Sequence, residues 1–151
     1  MKTRLLAFLA LALLANRLAA ADATPPGPPP TDAVVIDHAK VDDAFAKGLP
    51  ILLTSSYKIQ TGRRVVPGKV EIHDRDTDIF YILEGAATFT TGGTPNGAKP
   101  VRPGETSADS ITGGTARKLT KGDVVVVPAG VPHWFNEVSG TFLYFVVKVT
   151  K

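Results

Sequence analysis

The 151-residue sequence contains no cysteine, and it has only one tryptophan and one methionine. The absence of cysteine excludes disulfide bonds, thiolate nucleophiles, thiolate zinc sites and iron–sulfur clusters. The sequence also lacks a nucleophile motif, a phosphate-binding loop and a dinucleotide fingerprint. No cluster of lysine and arginine is interleaved with aromatic residues, which argues against nucleic acid as a partner. The chain must therefore be stabilised by a hydrophobic core, and it is long enough to form one.

The longest apolar run lies at the N-terminus. Residues 1–23 begin with Lys2 and Arg4, continue with about ten apolar residues and end in an Ala-x-Ala pattern, which is typical of a secretory signal. Cleavage after Ala21 and cleavage after Ala23 fit equally well. An amphipathic helix is the alternative, but the segment has no polar face. We expect a periplasmic or secreted protein whose mature form has no membrane span, because no later run approaches about 20 residues.

A proline-rich stretch separates the predicted signal from the rest of the chain. Residues 24–33 contain five prolines and should form an extended, exposed, disordered tether that joins neither a sheet nor a helix. The remaining residues, 34–151, are predicted to form one domain. Removing the signal takes three basic residues from a net charge of +3, so the mature protein should be nearly neutral.

The domain has the pattern of an all-β protein with a short N-terminal helix. The helix is predicted over residues 41–47, before Gly48 and Pro50. Glycine and proline turns then separate short β-prone runs, as in a barrel or sandwich. Residues 92–114 are the least strand-like part and are read either as a solvated loop or as a lid over the barrel mouth. The predicted strands cover residues 51–54, 57–61, 69–73, 78–83, 86–90, 124–127 and 141–149.

Two of the three histidines lie in segments that also carry glycine and proline turns. Glu71 and His73 are two residues apart in one strand and therefore share a face. Asp78 starts the next strand, and His133 follows a Pro-x-Gly turn. If these four side chains meet inside the barrel, they form a mixed nitrogen and oxygen site, which suits Mn, Fe, Ni, Zn or Cu better than Ca.

These segments resemble the two motifs of the cupin family, whose members are small jelly-roll β-barrels. The second cupin motif places a glycine, a Pro-x-Gly turn, a histidine and a nearby asparagine in series, and Gly122, Pro128, Gly130, His133 and Asn136 match it. The resemblance extends over residues 57–149. It implies a single-domain jelly-roll barrel, one metal ion in the barrel and a homodimer.

The first cupin motif is matched in spacing but altered in chemistry. Glu71 stands where cupins have their first histidine, His73 matches the second, Asp78 replaces a glutamate, and Gly85 follows in place. Asp78 is one methylene shorter than glutamate, and Glu71 can instead hydrogen-bond a metal-bound histidine. An alternative alignment, with His73 first and Arg75 second, would destroy the site.

Other residues near the motifs leave alternatives open. Trp134 either lines the barrel mouth and contacts a ligand or packs at the rim. His38 lies outside both motifs and is expected to be an ordinary surface residue. Two carboxylates would cancel the charge of a divalent metal, so we expect a weaker attraction for anionic substrates than in a three-histidine, one-glutamate site.

Two classes of function fit this pattern. The first is an exported metalloenzyme that acts on a small organic molecule, as a dioxygenase, isomerase, epimerase or lyase. The second is a non-catalytic module that binds a metal or a small molecule in the periplasm. The sequence does not identify the substrate.

Overall fold

The computed structural model describes residues 26–151, and apart from one helix the fold is all-β. The predicted signal, residues 1–23, lies outside the described residues. The elements are α1 (His38–Lys47), β1 (Pro50–Leu53), β2 (Tyr57–Arg64), β3 (Val70–His73), β4 (Asp76–Thr91), β5 (Thr94–Asn96), β6 (Lys99–Arg102), β7 (Glu105–Ala108), β8 (Ser110–Thr112), β9 (Thr115–Thr120), β10 (Val124–Val127) and β11 (His133–Thr150). The predicted jelly-roll class, with a short N-terminal helix, is confirmed.

Helix α1 has a defined cap at each end. The Asp37 carboxylate accepts a hydrogen bond from the backbone N–H of Lys40, so the helix begins before Val41, the predicted first residue. Gly48 ends the helix in a left-handed conformation with φ 66°. On the helix, Phe45 packs edge-on against Phe145 of β11, with ring centroids 5.3 Å apart. The helix therefore covers part of the outer surface of the sheet.

Nine strands form one antiparallel sheet around the two long strands β4 and β11. Strand β11 pairs with β4, β2 and β3. Strand β2 continues to β1, and β3 continues through β7 to β6. Strands β9 and β10 each pair with a different stretch of β4. Strands β5 and β8 form a separate two-stranded sheet.

Two predicted turns are bends inside the long strands. Gly85 lies within β4 and Gly140 within β11, with φ angles of 79° and 67°. A side chain at Gly85 would meet the carbonyl oxygen of Thr141 at 2.2 Å, so only glycine fits this close approach. The pairing of β4 with β11 shifts register around these glycines. The bends allow one continuous ribbon to supply both halves of the fold.

The segment 92–114 is built of strands β5–β8, which corrects the expectation of a loop. Strand β7 pairs with β3 in register, with Val70 opposite Ala108 and His73 opposite Glu105. Gly97 adopts a positive φ at one of its turns. The segment has few large apolar residues because β6 is fully exposed and β7 is mostly half-buried. Pairing with β3, rather than its own hydrophobicity, makes it regular.

The core lies between the inner faces of the folded ribbon. Its buried members are mostly aromatic and aliphatic residues of β4 and β11: Phe80, Ile82, Ala87, Phe89, Leu119, Val127, Phe135, Phe142, Tyr144 and Val146. The predicted tether is exposed over residues 26–33, except that Gly27 makes one backbone bridge to Thr54. Within residues 26–151, no helix is long and apolar enough to cross a membrane.

Candidate metal centre

Strands β3, β4 and β11 bring the four predicted ligands together. Glu71 of β3 lies opposite His133 of β11, and the rings of His73 and His133 are 5.1 Å apart between centroids. The Asp78 Oδ2 atom of β4 lies 3.3 Å from His73 Nε2 and 3.6 Å from His133 Nε2. One donor atom each from Glu71, His73 and His133 lies within 4.8 Å of the others, a group that can hold a metal ion.

His133 has one ring nitrogen fixed and the other free. Its Nδ1 lies 3.1 Å from the carbonyl oxygen of Val131, to which it can donate only in the Nδ1–H tautomer. The lone pair of Nε2 then points inward, and within residues 26–151 this buried atom has no hydrogen-bond partner. Burial lowers the pKa of His133, which favours the neutral imidazole. A neutral imidazole with an unpartnered inward nitrogen is suited to metal binding.

His73 is held by a carboxylate that the sequence analysis missed. Glu105 of β7 lies opposite His73, and its Oε2 is 2.7 Å from His73 Nδ1. The carboxylate accepts the Nδ1–H and turns Nε2 toward the site. Burial opposes the charged form of His73, but hydrogen bonds that the ring donates to Asp78 and Glu105 outweigh burial and raise the pKa of His73 to about 9. This carboxylate–histidine pair is the usual support of a metal-binding imidazole.

Lys148 is the second residue that the sequence analysis missed, and it lies inside the cluster. It stands opposite Asp78 in the β11–β4 pairing and is buried. Its Nζ lies 2.6 Å from Asp78 Oδ2 and 2.7 Å from His73 Nε2. The raised pKa of His73 favours a proton on its Nε2. However, Nε2 lies so close to Lys148 Nζ that only one proton fits between these two nitrogen atoms. We assign it to Lys148, because the same amine also reaches the Asp78 carboxylate.

Glu71 is the most exposed of the four predicted ligands. Its side chain is 41% exposed, against 4% or less for His73, Asp78 and His133. Its Oε1 accepts a hydrogen bond of 3.2 Å from Arg64, while its Oε2 lies 3.7 Å from His73 Nε2. Glu71 can therefore turn one oxygen toward a metal while Arg64 holds the other.

A cavity of about 160 Å³ opens beside this cluster. Phe80 and Phe135 supply part of its apolar wall, and Gln60 and Arg64 supply polar groups. Tyr144 also lines it, and its hydroxyl oxygen accepts a hydrogen bond of 3.1 Å from Arg64 Nε. The cavity therefore connects the candidate metal centre to a small, mixed polar and apolar space.

The structure decides two alternatives that the sequence left open and agrees with one expectation. Arg75 bonds the backbone oxygen of Lys151 instead of the cluster, which excludes the alignment with Arg75 as a ligand. Trp134 Nε1 donates to the carbonyl oxygen of Gly68 at 2.8 Å and does not line the cavity, so the residue packs at the rim. His38 is exposed in α1, as expected.

One solved structure has a similar fold despite low sequence identity, and two others are more distantly similar. The protein BH2720 from Bacillus halodurans has a TM-score of 0.56 and 11% identity, and the match covers 80% of this chain and 84% of that one. A cupin superfamily protein from Desulfitobacterium hafniense DCB-2 has a TM-score of 0.47 and 17% identity over 68% of this chain and 75% of that one. The DMSP lyase DddQ from Ruegeria pomeroyi DSS-3 has a TM-score of 0.45 and 21% identity, and the match covers 65% of this chain but 40% of the lyase.

A search of curated proteins finds no matching sequence. The family described as Cupin matches residues 30–151, which include the whole β-sheet and every residue of the candidate metal centre. The match covers most of the chain and agrees with the jelly-roll topology of the described residues. This chain belongs to the cupin family.

Proposed function

We propose that this protein binds one divalent transition metal, one of Mn, Fe, Ni, Zn and Cu, through Glu71, His73 and His133, with Asp78 as the fourth ligand. The observation that carries the proposal is the buried, unpartnered Nε2 of His133, within 4.8 Å of donor atoms from Glu71 and His73. An unsatisfied buried nitrogen is costly unless something binds it. The two imidazoles and the carboxylates suit a transition metal better than calcium.

We propose further that the protein is an enzyme that acts on a small organic molecule, as a dioxygenase, isomerase or lyase. When bound, the metal would supply a Lewis acid or a redox centre. The cavity of about 160 Å³ is below the range of about 300–1,000 Å³ for drug-sized ligands. It therefore suits a compact substrate of few atoms.

The charges around the cavity favour an anionic substrate. Three carboxylates surround the centre, those of Glu71, Asp78 and Glu105, and each is paired with a basic side chain: Arg64, Lys148 and Arg102, respectively. These charges cancel, so a divalent metal would give the site a net positive charge. A small carboxylate or similar anion is then attracted rather than repelled.

Tyr144 is the residue best placed to hold a proton over the substrate. Its hydroxyl oxygen already accepts from Arg64, which leaves its own O–H free to donate into the cavity. Burial raises the pKa of Tyr144, so the hydroxyl stays protonated at neutral pH. It can therefore donate a hydrogen bond to an oxygen of the bound molecule.

Metal analysis tests this proposal. Protein recovered from its native compartment should contain about one equivalent of a transition metal, and His73→Ala and His133→Ala should each lower the metal content. His38→Ala, an exposed histidine in α1, is the matched control and should retain the metal. Full metal occupancy in both site variants would overturn the proposal. Metal and ligand binding without turnover of any small carboxylate would favour the alternative, a non-catalytic binding module.

We propose export and a homodimer on separate grounds. The N-terminal pattern of residues 1–23 supports a signal peptide, and mass analysis of periplasmic protein should find Met1 absent. The outer face of the sheet supports a second copy of the chain as partner. There, Val124 lies opposite Tyr81. The exposed fraction is 61% for Val124, 47% for Tyr81 and 58% for Val126. An intact N-terminus, or a monomer in sedimentation equilibrium, would contradict the corresponding proposal.

A further inference from the structure

A buried lysine in the middle of a candidate metal centre needs an explanation of its own. Lys148 belongs to the inward-facing residues of β11, after Phe142, Tyr144 and Val146 at alternate positions. Its neighbours of the same face are core residues, whereas its own ammonium reaches the ligands of the proposed metal. Packing alone does not require a cation there.

Lys148 contacts the same two atoms to which a metal would have to bind. Its Nζ lies 2.7 Å from His73 Nε2 and 2.6 Å from Asp78 Oδ2. A neutral imidazole has one free lone pair, so a His73 Nε2 that accepts from the ammonium has none left for a metal. A divalent cation at the same two atoms would also be repelled by the ammonium at close range.

Without a metal, the ammonium has a clear structural role. Asp78 is 1% exposed, and a buried carboxylate without a cation beside it is strongly destabilising. The ammonium compensates this charge, and its removal would leave the His73 imidazole, 3.3 Å away, as the neighbour that has to take over this role. Lys148 thus stabilises the metal-free fold through the same atoms that the metal would use.

The side chain also has somewhere to go. Lys148 lines the cavity of about 160 Å³ beside the cluster, and its four-carbon stem is flexible. Rotation of the stem would move the ammonium from Asp78 into this cavity, next to Gln60 and Tyr144. The fold can therefore release the two ligand atoms without moving a strand.

We infer that Lys148 is an internal competitor of the metal: its ammonium occupies His73 and Asp78 in the metal-free protein and must be displaced when the metal binds. This inference rests on the proposed metal centre. Displacing the ammonium breaks its hydrogen bonds, and metal affinity falls by the free energy of those bonds. A hydrogen bond to a charged group corresponds to about a 10- to 100-fold change in an equilibrium constant, so we expect metal affinity to be lowered by about this factor. The displaced ammonium would then face the substrate cavity.

Zinc binding to the purified protein tests this competition. The affinities of the natural chain, Lys148→Met and Lys148→Arg are measured by competition with a chromophoric chelator. We expect Lys148→Met to bind zinc about 10- to 100-fold more tightly than the natural chain, and Lys148→Arg to bind it no more tightly. Lys58→Met is the matched control, since Lys58 lies opposite Lys148 but pairs with Asp76, 2.6 Å away. It should leave zinc affinity unchanged.

Thermal denaturation gives a second readout and covers the case in which Lys148→Met folds poorly. Without zinc, Lys148→Met should melt below the natural chain, and zinc should raise its melting temperature by more than it raises that of the natural chain. Lys148→Gln, which keeps an N–H donor for Asp78 but carries no charge, should bind zinc more tightly than the natural chain if Lys148→Met cannot be purified.

The outcomes separate the inference from the proposed function. Tighter zinc binding by the neutral variants, with the control unchanged, supports the competition. Zinc binding by the natural chain with equal or weaker binding by Lys148→Met and Lys148→Gln would overturn the competition and leave the metal centre standing. Binding by the neutral variants alone would support the competition and refute metal binding by the natural protein. Binding by none of the proteins would overturn both.

Discussion

Gly62 packs against Tyr144, a residue of the cavity wall, and is expected to be sensitive to substitution. It lies in β2 directly opposite Tyr144 of β11, and the tyrosine ring packs flat over the space where a side chain would stand. A Cβ at Gly62 would lie 2.0 Å from the Cζ atom of that ring and 2.2 Å from Cε2. The change Gly62→Ala therefore forces the ring to move.

The size of the effect follows from these distances. Carbon atoms in ordinary contact are about 3.5–4.0 Å apart, so the ring must shift by about 1.5 Å. It cannot do so freely, because the rings of Phe80, Phe135 and Phe142 surround it with centroids 5.5, 5.1 and 5.6 Å away. Overpacking of a core costs about 1–3 kcal/mol, and we expect the upper end here. The melting temperature should fall by about 10 °C.

Denaturant unfolding of five proteins measures this prediction: the natural chain, Gly62→Ala, Tyr144→Ala, the double variant and a control. Gly62→Ala should lower the free energy of unfolding by about 3 kcal/mol. In a Tyr144→Ala background the same change should cost much less, because the ring that it strikes is gone. Gly27→Ala is the control, since its side chain would meet nothing within 4 Å and its φ is not positive. A Gly62→Ala protein within about 0.5 kcal/mol of the natural chain would refute the packing argument.

The remaining predictions concern the metal and the dimer. Glu105→Gln should weaken zinc binding about 10- to 100-fold by chelator competition, because the carboxylate that orients His73 is lost, whereas Glu137→Gln at an exposed position should not. Equal affinity of the two variants would contradict this. Glu71→Gln should weaken zinc binding by more than about 100-fold if Glu71 is a ligand, and a smaller loss would make it a supporting hydrogen-bond partner. Val126→Lys should shift the protein to monomer in sedimentation equilibrium, and a dimer that persists would place the interface elsewhere.

The strand alternation and the turn residues were sufficient to predict the fold class and several elements. The bounds of β1, β3 and β10 were predicted nearly to their ends, because apolar residues are bounded there by glycine and proline, whereas β2 extends three residues beyond its predicted end at Thr61. The helix was found, although its first residues were not. Strands β5–β9 were missed, because they are short and largely exposed and gain their regularity from pairing with distant strands.

The members of the cluster that follow a local spacing in the sequence could be predicted. Those brought in by pairing between distant strands were not. Glu71 and His73 share a strand face by their separation alone, and His133 follows a recognisable turn. Lys148 carried a signal that was not used: it follows Phe142, Tyr144 and Val146 at alternate positions, so its face was the buried one. Glu105 carried none, because only the pairing of β7 with β3 brings it to His73.

Local sequence patterns were enough to predict a β-domain that carries histidines and carboxylates on inward-facing strand positions. Alternation and turn chemistry are local properties, and they survive in any tertiary arrangement. Which charges meet depends instead on how the strands pair. The pairing of β11 with β4 sets Lys148 against Asp78, and the pairing of β3 with β7 sets Glu105 against His73. These contacts join residues far apart in the chain, so no local pattern encodes them.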